Sequence, residues 1–234
     1  MDKIQQLADY INRSNSIVAT TGAGISVGGG GVTYGQMRTA RRGGGRWGIG
    51  AGSFLPTYLE TMFSYQPSFA HYALAELEAE GKLTGIITTN VDCMHTIAGS
   101  KNVAEIQGSL QVNCCAQCGR HSDGYEIWKQ EELPRCEACG GEILPWPLYS
   151  HIGLWDADVR KAREWISKAD LILVIGTRGN YGDVYWSYRR RKAAIVQINP
   201  GHTGFDSVAN LNIRQGSDDV FQRLKKIRNT TDGI

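Results

Sequence analysis

Short apolar segments alternate with amphipathic stretches along most of the chain. Continuous apolar, β-branched segments predict buried strands at Ser16–Thr20, Leu83–Thr88, Val103–Ile106, Leu171–Ile175 and Ala194–Ile198. Apolar residues at helical spacing predict helices at 4–11, Leu55–Tyr65, Pro67–Glu80, Ala157–Lys168, Tyr185–Lys192 and Ser217–Ile227. Apolar strands separated by helices predict an α/β protein whose parallel sheet is covered by helices on both faces.

Polar residues follow each predicted strand. Because ligands of such sheets bind beyond the carboxyl ends of the strands, these residues are the candidates for a site. They lie at Thr21–Ser26, Thr89–His95, Gln107–Ser109, Thr177–Asn180 and Asn199–Thr203. We expect them to meet in one crevice.

The composition is that of a globular protein, with 41% hydrophobic and 21% charged residues among 234. The formal net charge of +2 is too small for a protein that binds nucleic acid mainly by neutralising phosphates. No apolar run approaches the roughly 20 residues of a bilayer span, and no export signal is visible. We therefore expect a cytoplasmic protein with no nucleic-acid partner and no membrane partner.

Glycine is unusually frequent, with 29 residues, and it is clustered in the first part of the chain. Gly22-Ala-Gly24 follows the first predicted strand and could approach phosphate oxygens. Val27 stands where a dinucleotide fingerprint has its third glycine, so a plain glycine turn remains an alternative. Val27–Gly52 is predicted to be a mobile loop. The loop contains Arg38, Arg41, Arg42 and Arg46, and the first three leave NADP open as a ligand because arginine suits a 2′-phosphate.

Four cysteines have the spacing of a metal site. Cys115 and Cys118 form one pair, and Cys136 and Cys139 form a second pair 17 residues further on. Four thiolates suit the tetrahedral preference of zinc and leave no open position for catalysis. The spacing predicts a structural zinc ion, with Cys114 as a less well spaced competitor for Cys115 and a degenerate, metal-free site as the alternative.

Five short motifs occur in the order and spacing found in the sirtuins, and the chain resembles this family over nearly its whole length. The motifs are Gly22-Ala-Gly-Ile-Ser26, Thr89-Asn-Val-Asp-Cys-Met-His95 with Ala98-Gly99, Gln107-Gly-Ser109, Gly176-Thr177 and Ile198-Asn199. The resemblance implies a doubly wound Rossmann-type NAD-binding domain, residues 1–30, 75–113 and 150–234. It also implies a small helical and zinc-binding module, residues 31–74 and 114–149, with NAD in the cleft between them.

The resemblance also implies which residues bind NAD. The residues expected to bind the pyrophosphate and the adenosine half of NAD are Gly22, Ala23, Gly24, Ile25, Gly176, Thr177 and Asn199. Asn90 and Asp92 match the residues around the nicotinamide and its ribose, with Asp92 at the carboxamide. The structural alternative for both is a helix cap after a strand. His95 belongs to the same motif and is expected to have a structural role.

The chain departs from the deacylases of this family at four places, one of which is Val32-Thr-Tyr-Gly-Gln-Met-Arg38 in place of a segment with Pro-Asp-Phe-Arg. Gln107 stands where they have a histidine that acts as general base on a ribose hydroxyl, and an amide cannot take up a proton near neutral pH. Arg178 replaces a serine and suits a phosphate or an anionic substrate, unless it simply faces solvent. Pro147–Ile152 lacks the usual acyl-lysine-binding sequence.

These departures resemble the macrodomain-linked class of microbial sirtuins, which are ADP-ribosyltransferases. The sequence therefore predicts an NAD-consuming ADP-ribosyltransferase in which Asn90, Asp92, Gln107 and Arg178 act on NAD and on an unidentified acceptor, a protein side chain or a small molecule. One alternative is an NAD-dependent protein lysine deacylase in which another group, such as His151, replaces the base. A second is an NAD hydrolase or a non-enzymatic NAD-sensing module.

Overall fold

The computed structural model describes residues 2–31, 64–124, 126–129, 134–145, 156–179 and 193–231. The helices are α1 (Lys3–Arg13), α2 (Phe69–Ala79), α3 (Met94–Ile97), α4 (Asp156–Lys168) and α5 (Ser217–Thr231). The strands are β1 (Ile17–Thr21), β2 (Leu83–Thr88), β3 (Val103–Glu105), β4 (Val112–Cys115), β5 (His121–Asp123), β6 (Ile143–Pro145), β7 (Leu171–Ile175), β8 (Ala194–Ile198) and β9 (Leu211–Ile213). Short 3-10 turns cover Ala23–Ile25, Val27–Gly29 and Glu126–Lys129.

Six strands form one parallel sheet in the order β3-β2-β1-β7-β8-β9. The order reverses between β1 and β7, which is the topological switch point of a doubly wound Rossmann-type fold. The predicted α/β class is confirmed. β1 and β7 are buried along their whole length because helices cover both faces of the sheet, which explains the wholly apolar sequence of β7 and the apolar first three residues of β1.

Two apolar clusters sandwich this sheet. On one face, α1, α2 and α5 bury residues such as Leu7, Leu74 and Phe221 against alternate strand positions. On the other face, α4 buries Ala162 and Ile166 against the remaining strand positions. Helix packing on both faces fixes the strand ends, and with them the loops that carry the polar residues, at one edge of the sheet.

A second, antiparallel sheet in the order β5-β4-β6 occupies residues 112–145. Trp128 is buried beside it and donates its indole N–H to Asn113 Oδ1 at 2.9 Å. The apolar cluster around Trp128 also contains Tyr65 and Met94, so this small sheet packs against the loop that follows β2. The predicted division into two modules remains a prediction. α2 begins at Phe69 and packs in the large core, so this helix crosses the boundary proposed at residue 75.

Several boundaries differ from the sequence prediction for physical reasons. α2 begins two residues after Pro67 because Ser68 caps it, and the Ser68 N–H donates to His71 Nδ1 at 3.0 Å. β9 was not predicted, since its three residues are too few to show a pattern. Several predictions lie outside the described residues: most of the Val27–Gly52 loop with its four arginines, nearly all of the Leu55–Tyr65 helix, the 147–152 segment with His151, and the Tyr185–Lys192 helix.

Asp218 in the first turn of α5 joins three elements. Its carboxylate accepts the backbone N–H groups of Phe69 at 3.2 Å and Ala70 at 3.0 Å, at the start of α2. It also lies against Gly28, where an added Cβ would come within 2.0 Å of Asp218 Oδ2. The glycine turn after β1 is thereby held against α2 and α5.

No helix among the described residues is long and apolar enough to span a lipid bilayer.

Candidate active site

The turn after β1 lies directly against the end of β7. The Gly24 N–H donates to Gly176 O at 2.9 Å, and the Gly22 N–H donates to Ile175 O at 3.2 Å. A Cβ at Gly24 would be 2.7 Å from Gly176 Cα, and one at Gly22 would be 2.8 Å from Thr177 Cβ. The two glycines are therefore required for this close approach. The approach is expected both for a phosphate-binding turn and for a plain glycine turn, so it does not distinguish the two. Ile25 is fully buried beneath the turn.

Asp92 is buried on the loop after β2, and both of its carboxylate oxygens accept hydrogen bonds. Oδ2 accepts from Ser26 Oγ at 3.0 Å and from the Tyr65 hydroxyl at 3.2 Å. Oδ1 accepts the Met94 N–H at 3.1 Å, at the first residue of α3, whose N-cap is Cys93 rather than Asp92. Burial raises the pKa of Asp92, and these hydrogen bonds partly oppose that rise.

Asn90 lies in the same network. Its Nδ2 donates to Ser26 Oγ at 3.3 Å, and its backbone N–H donates to Thr88 Oγ1 at 3.0 Å. Ser26 therefore connects the turn after β1 to both polar residues of the loop after β2. This bridge brings two predicted site segments together at neighbouring strand ends.

His95 is fully enclosed, and Thr21 Oγ1 lies 2.9 Å from its Nε2. Its ring centroid is 4.5 Å from that of His71. Burial lowers the pKa of His95 well below its ordinary value and lowers that of His71 to about 4. Both rings are therefore neutral at physiological pH, and His95 supports the turn rather than supplying a proton.

Gln107 follows β3 at the entry to a tight turn. The Gly108 N–H donates to Glu105 O at 2.7 Å, and Gly108 has a φ of 68°, which favours glycine. The Gln107 side chain is largely buried, at 9% exposure, and its amide forms no hydrogen bond with any other described residue. The amide is therefore available to a ligand.

Thr177 and Asn199 meet at the ends of β7 and β8. Asn199 Nδ2 donates to Thr177 O at 3.2 Å, and Thr177 is buried. Arg178, the next residue, has an exposed side chain. The predicted adenosine-side residues are thus adjacent, whereas Arg178 is at the surface.

Sequence reasoning assigned no role to Tyr65, Ser26 or Glu105. Tyr65 is 27 positions from Asp92, and nothing in its own sequence context links the two. Ser26 was visible as part of a motif, but its two hydrogen bonds were not. Glu105 could have been noticed as an acidic residue at the end of an apolar strand, and it is 8% exposed.

The four predicted cysteines converge in the small sheet, with all four sulfur atoms within 4.8 Å of one another. Cys115 and Cys139 Sγ are 3.6 Å apart, and Cys118 and Cys136 Sγ are 3.7 Å apart. Sulfur ligands about 2.3 Å from a tetrahedral zinc ion would be about 3.8 Å apart, so the geometry fits that ion. The backbone N–H of Cys118 makes the largest contribution to lowering the pKa of Cys115 to about 6, which favours the thiolate ligand. Cys114 lies outside this cluster.

Comparisons with known proteins agree with one another. The Sir2 family model matches residues 51–181, more than half of the chain. The NAD-dependent protein deacetylase of Clostridium acetobutylicum is 31% identical, over 97% of this chain and 98% of its own. The NAD-dependent protein deacetylase 1 of Pyrobaculum aerophilum is 34% identical, over 95% and 94% of the two chains. The crystal structure of a Sir2 homologue in complex with NAD has a TM-score of 0.74 and 29% identity, covering 97% of this chain and 95% of that one.

Proposed function

Because the chain belongs to the Sir2 family of NAD-dependent enzymes, we propose that it uses NAD to remove acyl groups from protein lysines. The observation that carries this proposal is its similarity, from end to end, to relatives that are named deacetylases and deacylases. These names fit the lysine deacylase alternative better than the ADP-ribosyl transfer that the sequence analysis placed first. NAD is the co-substrate, and an acylated protein is the proposed partner.

The proposal assigns the first chemical step to the network around Ser26. Gly22, Ala23 and Gly24 let the pyrophosphate approach the backbone closely, with the Ala23 N–H as a donor because the Gly22 and Gly24 N–H groups already donate to β7 and Gly176. Thr177 and Asn199 line the adenosine half. Asn90 and Asp92 hold the nicotinamide and its ribose. The bond between the anomeric carbon and the nicotinamide nitrogen breaks, nicotinamide leaves with the electron pair, and the acyl oxygen of the substrate bonds to the anomeric carbon. Positioning and buried electrostatics suffice for this step, since no proton must be removed.

Gln107 determines how the later steps proceed. In deacylation, a ribose hydroxyl must lose its proton before it attacks the acyl carbon, and the amide of Gln107 cannot accept that proton. His95 and His71 are enclosed, and burial lowers the pKa of both, so neither is suited to take up this proton. The proposed role of Gln107 is to orient the ribose by hydrogen bonding, while solvent takes up the proton. We therefore expect slow deacylation.

ADP-ribosyl transfer to a protein or a small molecule is the second candidate function, and Gln107 is the observation that favours it. Breaking the nicotinamide bond needs no residue with the pKa of histidine, and an incoming side-chain nucleophile could then bond to the anomeric carbon. The exposed Arg178 would orient an anionic acceptor in this candidate.

A product balance separates the two functions. Purified protein is incubated with isotopically labelled NAD, with and without acyl-lysine peptides and a cell lysate, and the label is followed by mass spectrometry. Label in O-acyl-ADP-ribose supports the deacylase, and label on a protein or a small acceptor supports the transferase. Release of nicotinamide without either product, with free ADP-ribose instead, contradicts both.

A further inference from the structure

Glu105 is a buried carboxyl group directly beneath the turn that carries Gln107. Its backbone N–H donates to Asp158 Oδ2 at 2.8 Å, and its carbonyl accepts the Gly108 N–H at 2.7 Å. Its carboxylate accepts a short hydrogen bond from the Ser109 hydroxyl. Backbone and side chain of Glu105 therefore hold both residues that immediately follow Gln107.

The same carboxyl group adjoins the loop that carries Asp92. The Cys93 thiol is close to both Glu105 and Ser109, and the Leu110 N–H donates to Val91 O at 3.4 Å. Cys93 has a φ of 60°, an unusual conformation for a residue with a side chain. Glu105 thus lies where the loop after β2 and the turn after β3 meet.

The groups that face Glu105 are predominantly acidic or neutral. From the loop after β2 these are Asp92 and Cys93, from the turn after β3 Ser109, and from α4 Asp158, which pairs with Lys161 at 2.8 Å. Burial, together with the charges of Asp92 and Asp158, raises the pKa of Glu105 to about 7, although the Ser109 hydrogen bond opposes this rise. Its charge therefore changes within the physiological range.

We propose that Glu105 is a positioning residue for the NAD reaction, because its buried carboxylate fixes the Gln107 turn through Ser109 and holds that turn against the Asp92 loop. This inference rests on the proposed function only in that NAD is cleaved, and it holds for either acceptor. The ionised carboxylate accepts hydrogen bonds from the Ser109 hydroxyl and the Cys93 thiol, whereas the protonated form must use one oxygen as a donor. Ionisation of Glu105 therefore tightens the turn.

The test is a double-mutant cycle on nicotinamide release. Glu105→Gln keeps the shape of the side chain and one acceptor oxygen but removes the charge. We expect kcat to fall about tenfold with little change in KM for NAD, since orientation rather than binding is lost. If Glu105 acts through Gln107, the double variant Glu105→Gln with Gln107→Ala is no slower than Gln107→Ala alone. Glu164→Gln, at an exposed pair with Lys168, is the matched control and should leave kcat unchanged.

The pH profile gives a readout that a purely structural role would not move. In the wild-type chain, kcat rises between pH 6 and pH 8 as Glu105 ionises, and this rise is absent in Glu105→Gln. Multiplicative effects in the cycle, or an unchanged pH profile, overturn the inference. Should Glu105→Gln fail to fold, Ser109→Ala removes the same link from the other side and must show the same coupling to Gln107. A wild-type chain that releases no nicotinamide instead overturns the proposed function, which is a separate outcome.

Discussion

At the residue scale, the site depends on side chains whose chemistry is limited by burial. Asp92 keeps its carboxylate inside a ring of donors supplied by Ser26, Tyr65 and Met94. Gln107 presents an amide without a protein partner among the described residues. Asp92 is already held by three protein hydrogen bonds, whereas the Gln107 amide has none from the described residues, so substitutions at the two positions should have different consequences.

Replacing Gln107 with histidine tests its place in the reaction. We expect Gln107→His to accelerate deacylation of an acyl-lysine peptide by about 10² or more, because a correctly placed general base typically contributes this much. The measurement is the rate of O-acyl-ADP-ribose formation across pH, in which the variant should lose activity below its histidine pKa. Gln107→Asn is the control, since it shortens the amide without adding a base. An equal rate for both variants would show that position 107 does not face the ribose.

The close approach of Gly24 to Gly176 can be tested by adding a single methyl group. Gly24→Ala places a Cβ 2.7 Å from backbone atoms that cannot rotate away, so the turn must shift. We expect the free energy of unfolding to fall by about 1–3 kcal/mol and the affinity for NAD to fall with it, as measured by urea unfolding and calorimetry. At Gly204 an added Cβ would be at an ordinary contact distance of 3.7 Å from Arg178 O. Gly204→Ala should therefore be nearly neutral, and equal effects at both glycines would contradict this account.

At the element scale, the small sheet that carries the four-cysteine cluster depends on its cysteines for much of its packing. The strands β4, β5 and β6 are short, and their apolar cluster includes Cys115 and Cys136 themselves. Bound zinc would link the two loops that carry the cysteine pairs and so stabilise a sheet that has few apolar contacts of its own. Because the same cluster contains Met94 and Tyr65, disorder in this sheet would reach the Asp92 loop.

Removing zinc should therefore destabilise this sheet first. We expect a strong chelator, or Cys118→Ser, to abolish zinc binding, to lower the melting temperature by about 5 °C or more and to shift the emission of the buried Trp128 to longer wavelength. Metal content is measured by atomic emission on the purified protein. Cys114→Ser is the control, because Cys114 Sγ lies near Gly119 O and outside the cluster. Retention of zinc by Cys118→Ser, or its loss from Cys114→Ser, would assign the ligands differently.

Elements with long apolar runs could be predicted from the sequence, and elements defined by tertiary contacts could not. Leu171–Ile175 is apolar at every position because both of its faces are covered, so its identity as a central strand was readable. β9 and α3 have three and four residues and rely on their neighbours for order. In the site, the motif residues were predictable, whereas the contact of Tyr65 with Asp92 spans 27 positions and needed the structure.

At the scale of the whole molecule, two buried histidines link stability to pH. His71 and His95 pack ring to ring between α2 and α3, and burial lowers the pKa of both. An unfolded chain takes up protons at these residues below about pH 6.5, whereas the folded chain does not take one up at His71 until about pH 4. Stability is therefore lost as the pH falls through this window.

We expect His71 alone to contribute a loss of about 3 kcal/mol in the free energy of unfolding between pH 7 and pH 4. The experiment is urea unfolding at several pH values for the wild type and for His71→Asn. The variant is expected to be less stable at pH 7, because the capping interaction with Ser68 is weakened, yet to lose less stability on acidification. Parallel pH profiles for the two proteins would exclude His71 as the source. His202→Asn, at an exposed residue, serves as the control.

The contacts of Asp218 can form only late in the synthesis of the chain. The glycine turn after β1 is synthesised first, yet the carboxylate that fits against Gly28 and the start of α2 belongs to the helix over Ser217–Thr231. During translation, roughly 190 residues are therefore added after Gly28 before Asp218 can pack against this turn. A nascent chain that ends before α5 would contain every proposed NAD-contacting residue but would lack the Asp218 carboxylate that holds the turn in place. We therefore expect NAD to bind only after α5 has packed against the rest of the fold.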